Sequence, residues 1–202
     1  MGSASTDHPA PPRRVVLGLG NPGERYADTR HNVGFQVVER LARERGIALD
    51  QRDCHSHLGW DDDLVLVAPQ TYMNRSGYTA RCLVELYGFE PGDFLVVYDE
   101  IHLPLGTLRL RPKGSPAGHR GLESVLENLG TDQVPRLRLG VADPEGPPDG
   151  ESLADFVLAR FDAAEADSVT AMVERAAQAC LAWADEGSES AMQRFNGPPP
   201  QS

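Results

Sequence analysis

Short apolar runs alternate along this chain with segments of helical period, and that alternation leaves few folds open. Val15–Leu19, Leu64–Ala68, Phe94–Tyr98 and Leu137–Val141 are too short for buried helices and read as strands. Leu105–Leu110 alternates as a strand does, and a weaker strand around Cys54–Gly59 is joined to Leu64–Ala68 by a turn at Trp60–Asp63. Between the runs, Val33, Val37, Val38 and Leu41 recur at helical spacing up to Gly46. Met73–Tyr87 does the same up to Gly88, then Leu122, Val125, Leu126 and Leu129, and finally Ala164–Glu186. No internal repeat is present. The pattern predicts an α/β fold: one three-layer sandwich in which a twisted, mixed but mostly parallel sheet carries helices on both faces. Residues 14–197 form that domain, with the polar, Pro-rich segments 1–13 and 198–202 expected as disordered tails.

The net charge of −11 argues against a polyanionic partner until its distribution is considered. Between Arg109 and Arg138 six basic residues face three acidic ones, so this segment is +3 in a chain that is otherwise −14. A basic face of this kind can hold phosphates on an acidic protein. No stretch approaches the roughly 20 apolar residues of a membrane span, and the N-terminus lacks the apolar centre of a secretory signal. Cys54, Cys82 and Cys180 lie far apart with no CxxC pair, so they are expected as small buried thiols in a reducing, cytoplasmic setting.

In sheets of this class, ligands sit beyond the carboxyl ends of strands, and the chemically able residues cluster there. Gly18-Leu19-Gly20-Asn21-Pro22-Gly23 satisfies GxGxxG after a strand, but no helix opens at its third glycine, so a tight turn competes with a dinucleotide site. In Tyr26-Ala27-Asp28-Thr29-Arg30-His31-Asn32-Val33-Gly34-Phe35, His31 stands at the mouth of a helix, where a polar side chain gains no core packing and a proton acceptor is well placed. Asp99, ending the central strand, is the natural carboxylate to fix its tautomer, with turn capping as the alternative role. Asn74 follows Thr71-Tyr72-Met73 where the chain enters a helix, and its carboxamide can serve both a carbonyl and a water, or simply cap. Gly114–Gly121 leads into a helix with free backbone N–H groups beside His119 and Arg120. His55 and His57 have strand spacing but no second ligand cluster, so no metal is expected. No serine lies in a nucleophile elbow.

Taken together, these segments resemble the bacterial-type peptidyl-tRNA hydrolase family. The resemblance rests on Gly18–Gly23, Tyr26–Phe35, Pro69–Gly77, Tyr98–Gly106 and Gly114–Leu122, with Arg136–Gly140 and Phe156–Phe161 also fitting, and it runs from about Val15 to Gly197. It implies a monomeric α/β enzyme without metal or cofactor that cuts the ester between a peptide and the 3′ end of tRNA. By the same resemblance His31 is the base oriented by Asp99, Asn21 and Asn74 line the site, and His119 shapes the cleft. Tyr26, Tyr72 and Arg120 are then substrate- or tRNA-binding residues, and Arg109, Arg111 and Arg138 tRNA-phosphate contacts. One position departs from the family: Arg120 stands where Asn is usual, replacing an amide that both donates and accepts by a larger cation that only donates. A non-catalytic RNA-binding scaffold of the same fold is the competing reading.

Overall fold

The computed structural model describes residues 14–143, 146 and 152–199. The tail expected at 1–13 and most of the polar loop Asp143–Gly150 lie outside the described residues. In chain order the elements are β1 (Arg14–Gly18), α1 (Val33–Arg45), β2 (Gln51–Asp53), β3 (Ser56–Trp60), β4 (Leu64–Pro69), α2 (Ser76–Tyr87), β5 (Phe94–Pro104), β6 (Leu108–Arg111), α3 (Arg120–Leu129), β7 (Arg136–Ala142), α4 (Ser152–Leu158) and α5 (Ala166–Phe195). Short 3₁₀ turns at Arg30–Asn32, Met73–Arg75 and Ala163–Glu165 lead into α1, α2 and α5.

One seven-stranded sheet has the order β2-β3-β4-β1-β5-β7-β6. Its centre, β4-β1-β5-β7, is parallel. Both edges are antiparallel: β2-β3-β4 on one side and β6 against β7 on the other. The parallel strands are buried on both faces, which is why they read as unbroken apolar runs. Alternate residues go to opposite layers. Val16, Leu66, Leu95, Val97 and Leu139 meet α1 and α5, while Val15, Leu17, Val67, Val96 and Tyr98 meet α2 and α3. α1 is pressed hard onto the sheet: a Cβ at Gly34 would lie 2.4 Å from the Val97 carbonyl, and one at Gly18 would lie 2.2 Å from the Gly34 carbonyl.

That close approach answers the glycine motif. Gly18 is filled by α1 and Gly20 faces the Phe35 ring, 2.7 Å from a Cβ built there. Gly18 and Gly20 thus make room for helix packing, while Gly23 (φ 103°) serves the turn that follows.

Several expectations need correction. β5 does not end at Asp99; pairing with β7 carries it through Glu100 and, past an irregularity, to Pro104. The last strand before α3 begins at Leu108, because Thr107 turns back onto the Pro104 carbonyl. Cys54 and His55 are not strand residues. Both have positive φ (47° and 54°) and form the two-residue turn between β2 and β3, so His55 and His57 share no face. That turn carries Cys54 against α2, where it is disulfide-bonded to Cys82, with 5.4 Å between the Cα atoms. Only Cys180 remains a thiol; it is fully buried, and burial pushes its pKa up. The final helix does break after Glu186, as expected, because Gly187 (φ 85°, ψ 178°) is not helical; a second helical stretch beyond the kink, running to Phe195, was not expected. α4 was not anticipated. Gly197 bridges to Leu108 and Pro199 lies beside Gly106, so the chain is still packed on the domain beyond 197.

Candidate active site

β1 is last paired with β5 at Gly18 and Val97. Two residues further, Asp99 keeps β7 as a neighbour on one side only, and its side chain enters a cleft at the carboxyl end of β1. There Asp99 Oδ1 lies 2.8 Å from His31 Nδ1 and 3.1 Å from His119 Nε2. The carboxylate side chain is 1% exposed, the two imidazoles 14% and 10%. His119 caps α3, and its Nδ1 accepts the Leu122 N–H at 3.1 Å. Its proton is therefore on Nε2, pointing at Asp99. His31 likewise gives Nδ1–H to Asp99, which leaves its Nε2 lone pair for the cleft.

Charge and burial oppose each other in this trio. Burial favours neutral His31, but the Asp99 charge and its hydrogen bond outweigh that and hold the pKa above the ordinary value; the Arg120 charge pulls it down. Burial would raise Asp99, yet the paired imidazoles hold it well below the usual carboxylate range. Tyr98, whose ring lies 4.6 Å from that of His119, has its phenol pushed up by burial.

Two carboxamides complete the floor. Asn21 and Asn32 pair reciprocally: the Asn21 N–H donates to Asn32 Oδ1, and Asn32 Nδ2 donates to the Asn21 carbonyl, both at 2.9 Å. Asn21 Oδ1 then accepts Met73 N–H at 2.9 Å, which fixes its amide and presents Nδ2 to the cleft. Asn74 is exposed in the following turn and makes no side-chain hydrogen bond among the described residues.

The cleft measures about 630 Å³. Tyr72 and Asn74 stand on one wall and Gly118–Arg120 on another, while Leu153, Ala154, Val157 and Leu158 of α4 form an apolar third wall. Arg120 reaches it without an ion pair or hydrogen bond among the described residues. Tyr26 does not line it; its ring lies under the Arg25 guanidinium, 4.4 Å away.

Arg109 and Arg138 are opposite each other on β6 and β7, as are Arg111 and Arg136, so all four share one face of this antiparallel strand pair. Their availability differs. Arg136 is buried and spends its N–H groups on the carbonyls of Val134, Asp132 and Gly114. Arg138 is held by Glu100 Oε2, at 2.8 Å from Nε. Arg111 is exposed and Arg109 half-buried. Since Glu100 also lines the cleft, the basic face adjoins it.

The ligand atoms of His31, Asp99 and His119 are close enough for one metal ion. Neutral His119 cannot offer Nε2 to a metal while its Nδ1 accepts Leu122 N–H, so the donor set fits a hydrogen-bond relay better. Asp53, Cys54 and Cys82 also converge, but both sulfurs are in the disulfide.

Reasoning from the residues passed over Arg30, Asn32, Glu100 and α4. The signal for the first two was present: polar side chains directly before a helix, in the same short stretch as His31. Glu100 and α4 had none, because their partners are remote in the chain.

An imidazole backed by a buried carboxylate, with its free nitrogen facing amide donors in a strand-end cleft, is the arrangement of a hydrolase that activates water. The sequence matches the family model described as peptidyl-tRNA hydrolase over residues 15–202, and the chain belongs to that family. It is 40% identical over 187 residues to a peptidyl-tRNA hydrolase of Brevibacillus brevis, covering 91% of this chain and 97% of the relative. It is 44% identical over 184 residues to one of Methylacidiphilum infernorum, covering 90% and 97%. The crystal structure of peptidyl-tRNA hydrolase from Acinetobacter baumannii superposes with a TM-score of 0.84 at 30% identity, covering 91% of this chain and 96% of that one.

Proposed function

We propose that this protein hydrolyses the ester between a peptide and the 3′ end of its tRNA, with water activated by His31. The 2.8 Å contact between His31 Nδ1 and Asp99 Oδ1, which leaves Nε2 free in the cleft, carries the reading. His31 Nε2 takes a proton from water as its oxygen attacks the ester carbonyl. Proton transfer to a positioned base of this kind is worth about 10²–10⁴ in rate, and Asp99 stabilises the imidazolium that forms. The oxyanion is met by the free amide groups of Asn74 and Asn21, and loss of one such donor typically costs about 10²–10³. His31 then returns the proton to the departing ribose oxygen. An ester needs no covalent intermediate, so the absence of a nucleophile elbow in this chain fits.

Tyr72, His119 and Arg120 line the path to that carbonyl. Arg109, Arg111 and Arg138 supply a face for acceptor-stem phosphates, read by shape and charge; Tyr26 lies outside the cleft and contacts only tRNA in this reading. Every group needed sits on one chain, which supports a monomer. Ribosomal origin of the substrate makes the cytoplasm the place of action, and among the described residues no helix is long and apolar enough to cross a membrane. No cofactor enters the steps. Single-turnover hydrolysis of an N-blocked aminoacyl-tRNA tests the proposal. Wild type should release free tRNA and His31→Ala should not; tRNA binding with no turnover in either protein identifies a scaffold instead.

A further inference from the structure

His31 is flanked by a residue with no role in the steps above. Arg30 is 4% exposed, and its side chain meets α4 itself at Phe156 and the chain on both sides of it, Asp143 before and Arg160, Phe161 and Glu165 after. Its NH1 donates to the Arg160 carbonyl at 2.6 Å, and its NH2 to both oxygens of Glu165 at 2.9 and 3.1 Å and to Asp143 at 3.2 Å. Its guanidinium lies over the rings of Phe156 and Phe161, 4.6 and 4.8 Å from their centroids. The backbone adds to this: Arg30 N–H donates to the Ala159 carbonyl at 3.0 Å, and Thr29 bridges to Arg160.

α4 needs such an anchor. It has seven residues, where an isolated helix is marginal below about 12–15. Leu153, Ala154, Val157 and Leu158 face the cleft, and only Phe156, the ring under the Arg30 guanidinium, packs back against the core. His31 has anchors of its own in Asp99 and in the Asn32–Asn21 pair. We propose that Arg30 is a positioning residue that holds α4 beside His31 as the wall against which the peptide part of the substrate packs. This rests on the proposed function for its substrate and deepens it by assigning the peptide side of the cleft to α4. The stacked, forked guanidinium does this where an ammonium could not, because it offers several donors in one plane and two apolar faces.

Two readouts test the proposal. In Arg30→Gln, backbone amides of 153–158 should exchange hydrogen for deuterium at least about tenfold faster, while those of β5 and α1 keep their protection. In kinetics, KM for a tRNA carrying several apolar residues should rise about tenfold relative to KM for one carrying a single blocked amino acid, the equivalent of one lost apolar contact. kcat and the acid limb of its pH profile should stay where they are. Arg30→Lys should resemble Gln, and Phe161→Leu, which spares the ion pairs, should move both readouts the same way by less. Unchanged exchange in α4, an unchanged KM ratio, or a displaced pH profile overturns the proposal. A wild-type protein that turns over neither substrate defeats the proposed function, and the exchange measurement still decides whether Arg30 holds α4.

Discussion

Asp99→Asn puts the relay to its hardest test. The substitution keeps the shape but replaces a carboxylate that accepts from two imidazoles at 2.8 and 3.1 Å by a neutral amide. A hydrogen bond to a charged group contributes about 1.5–3 kcal/mol and a neutral one about 1. The imidazolium that forms as His31 takes its proton therefore loses about 1–2 kcal/mol, or roughly tenfold in rate at constant geometry. If the amide nitrogen turns to His31, the ring must present Nδ1 as an acceptor and carry its proton on Nε2, facing the water. A wrong tautomer of that kind costs about 10⁴. The expected loss in kcat is thus between about 10 and 10⁴, with KM little changed. The pH profile supplies a second, signed readout. In the proposed mechanism neutral His31 is the active form, so activity should fall as pH drops through its pKa. The Asp99 charge and hydrogen bond are what raise that pKa, while burial and Arg120 lower it. Without the carboxylate the acid limb must move to lower pH. Single-turnover hydrolysis from pH 5 to 9 measures both. A rate within threefold of wild type, or an acid limb that moves up, would refute the assignment of Asp99.

The remaining predictions concern charge and the cysteines. Arg120→Gln removes a cation from the cleft; if it holds a substrate phosphate, the slope of log(kcat/KM) against log[salt] becomes shallower by about 0.7. The same substitution shifts the acid limb to higher pH, because the Arg120 charge lowers the His31 pKa; an unaltered slope and limb would leave Arg120 without a part. Cys54→Ser/Cys82→Ser opens a loop of 28 residues that contains Tyr72, Met73 and Asn74, and should cost about 3–4 kcal/mol in urea denaturation relative to oxidised wild type. A wild-type midpoint indifferent to reductant would mean that the pair is not bridged.

The fold was legible where local pattern decides it. A strand buried on both faces must be apolar throughout, and Val15–Leu19 and Phe94–Tyr98 are; α1 and α2 end in left-handed residues, and Gly46 and Gly88 stand there. The edges were less legible. The turn at Cys54–His55 carries none of the usual Asn-Gly signals, and β5 runs past Asp99 only because β7 is there to pair with it. The same division holds at the site. His31, Asp99, Asn21, Asn74 and His119 could be named from residue type, from position at a strand end or helix start, and from family resemblance. Whether a given arginine is free for phosphate could not: Arg136 and Arg138 have similar local sequences, yet one is buried in carbonyls and the other is tied to Glu100.

The sequence by itself determined the central strands, the helices between them, the layers they form, and the groups with the chemistry to move a proton, because hydrophobic period and functional-group type are properties of neighbouring residues. Only the tertiary structure decided which nitrogen of His31 is free, that His119 shares its carboxylate, that Cys54 meets Cys82, and that Arg30 ties α4 to the cleft. Those facts depend on distances between residues 20 to 135 positions apart, which the packing of helices on a twisted sheet sets and no local pattern encodes.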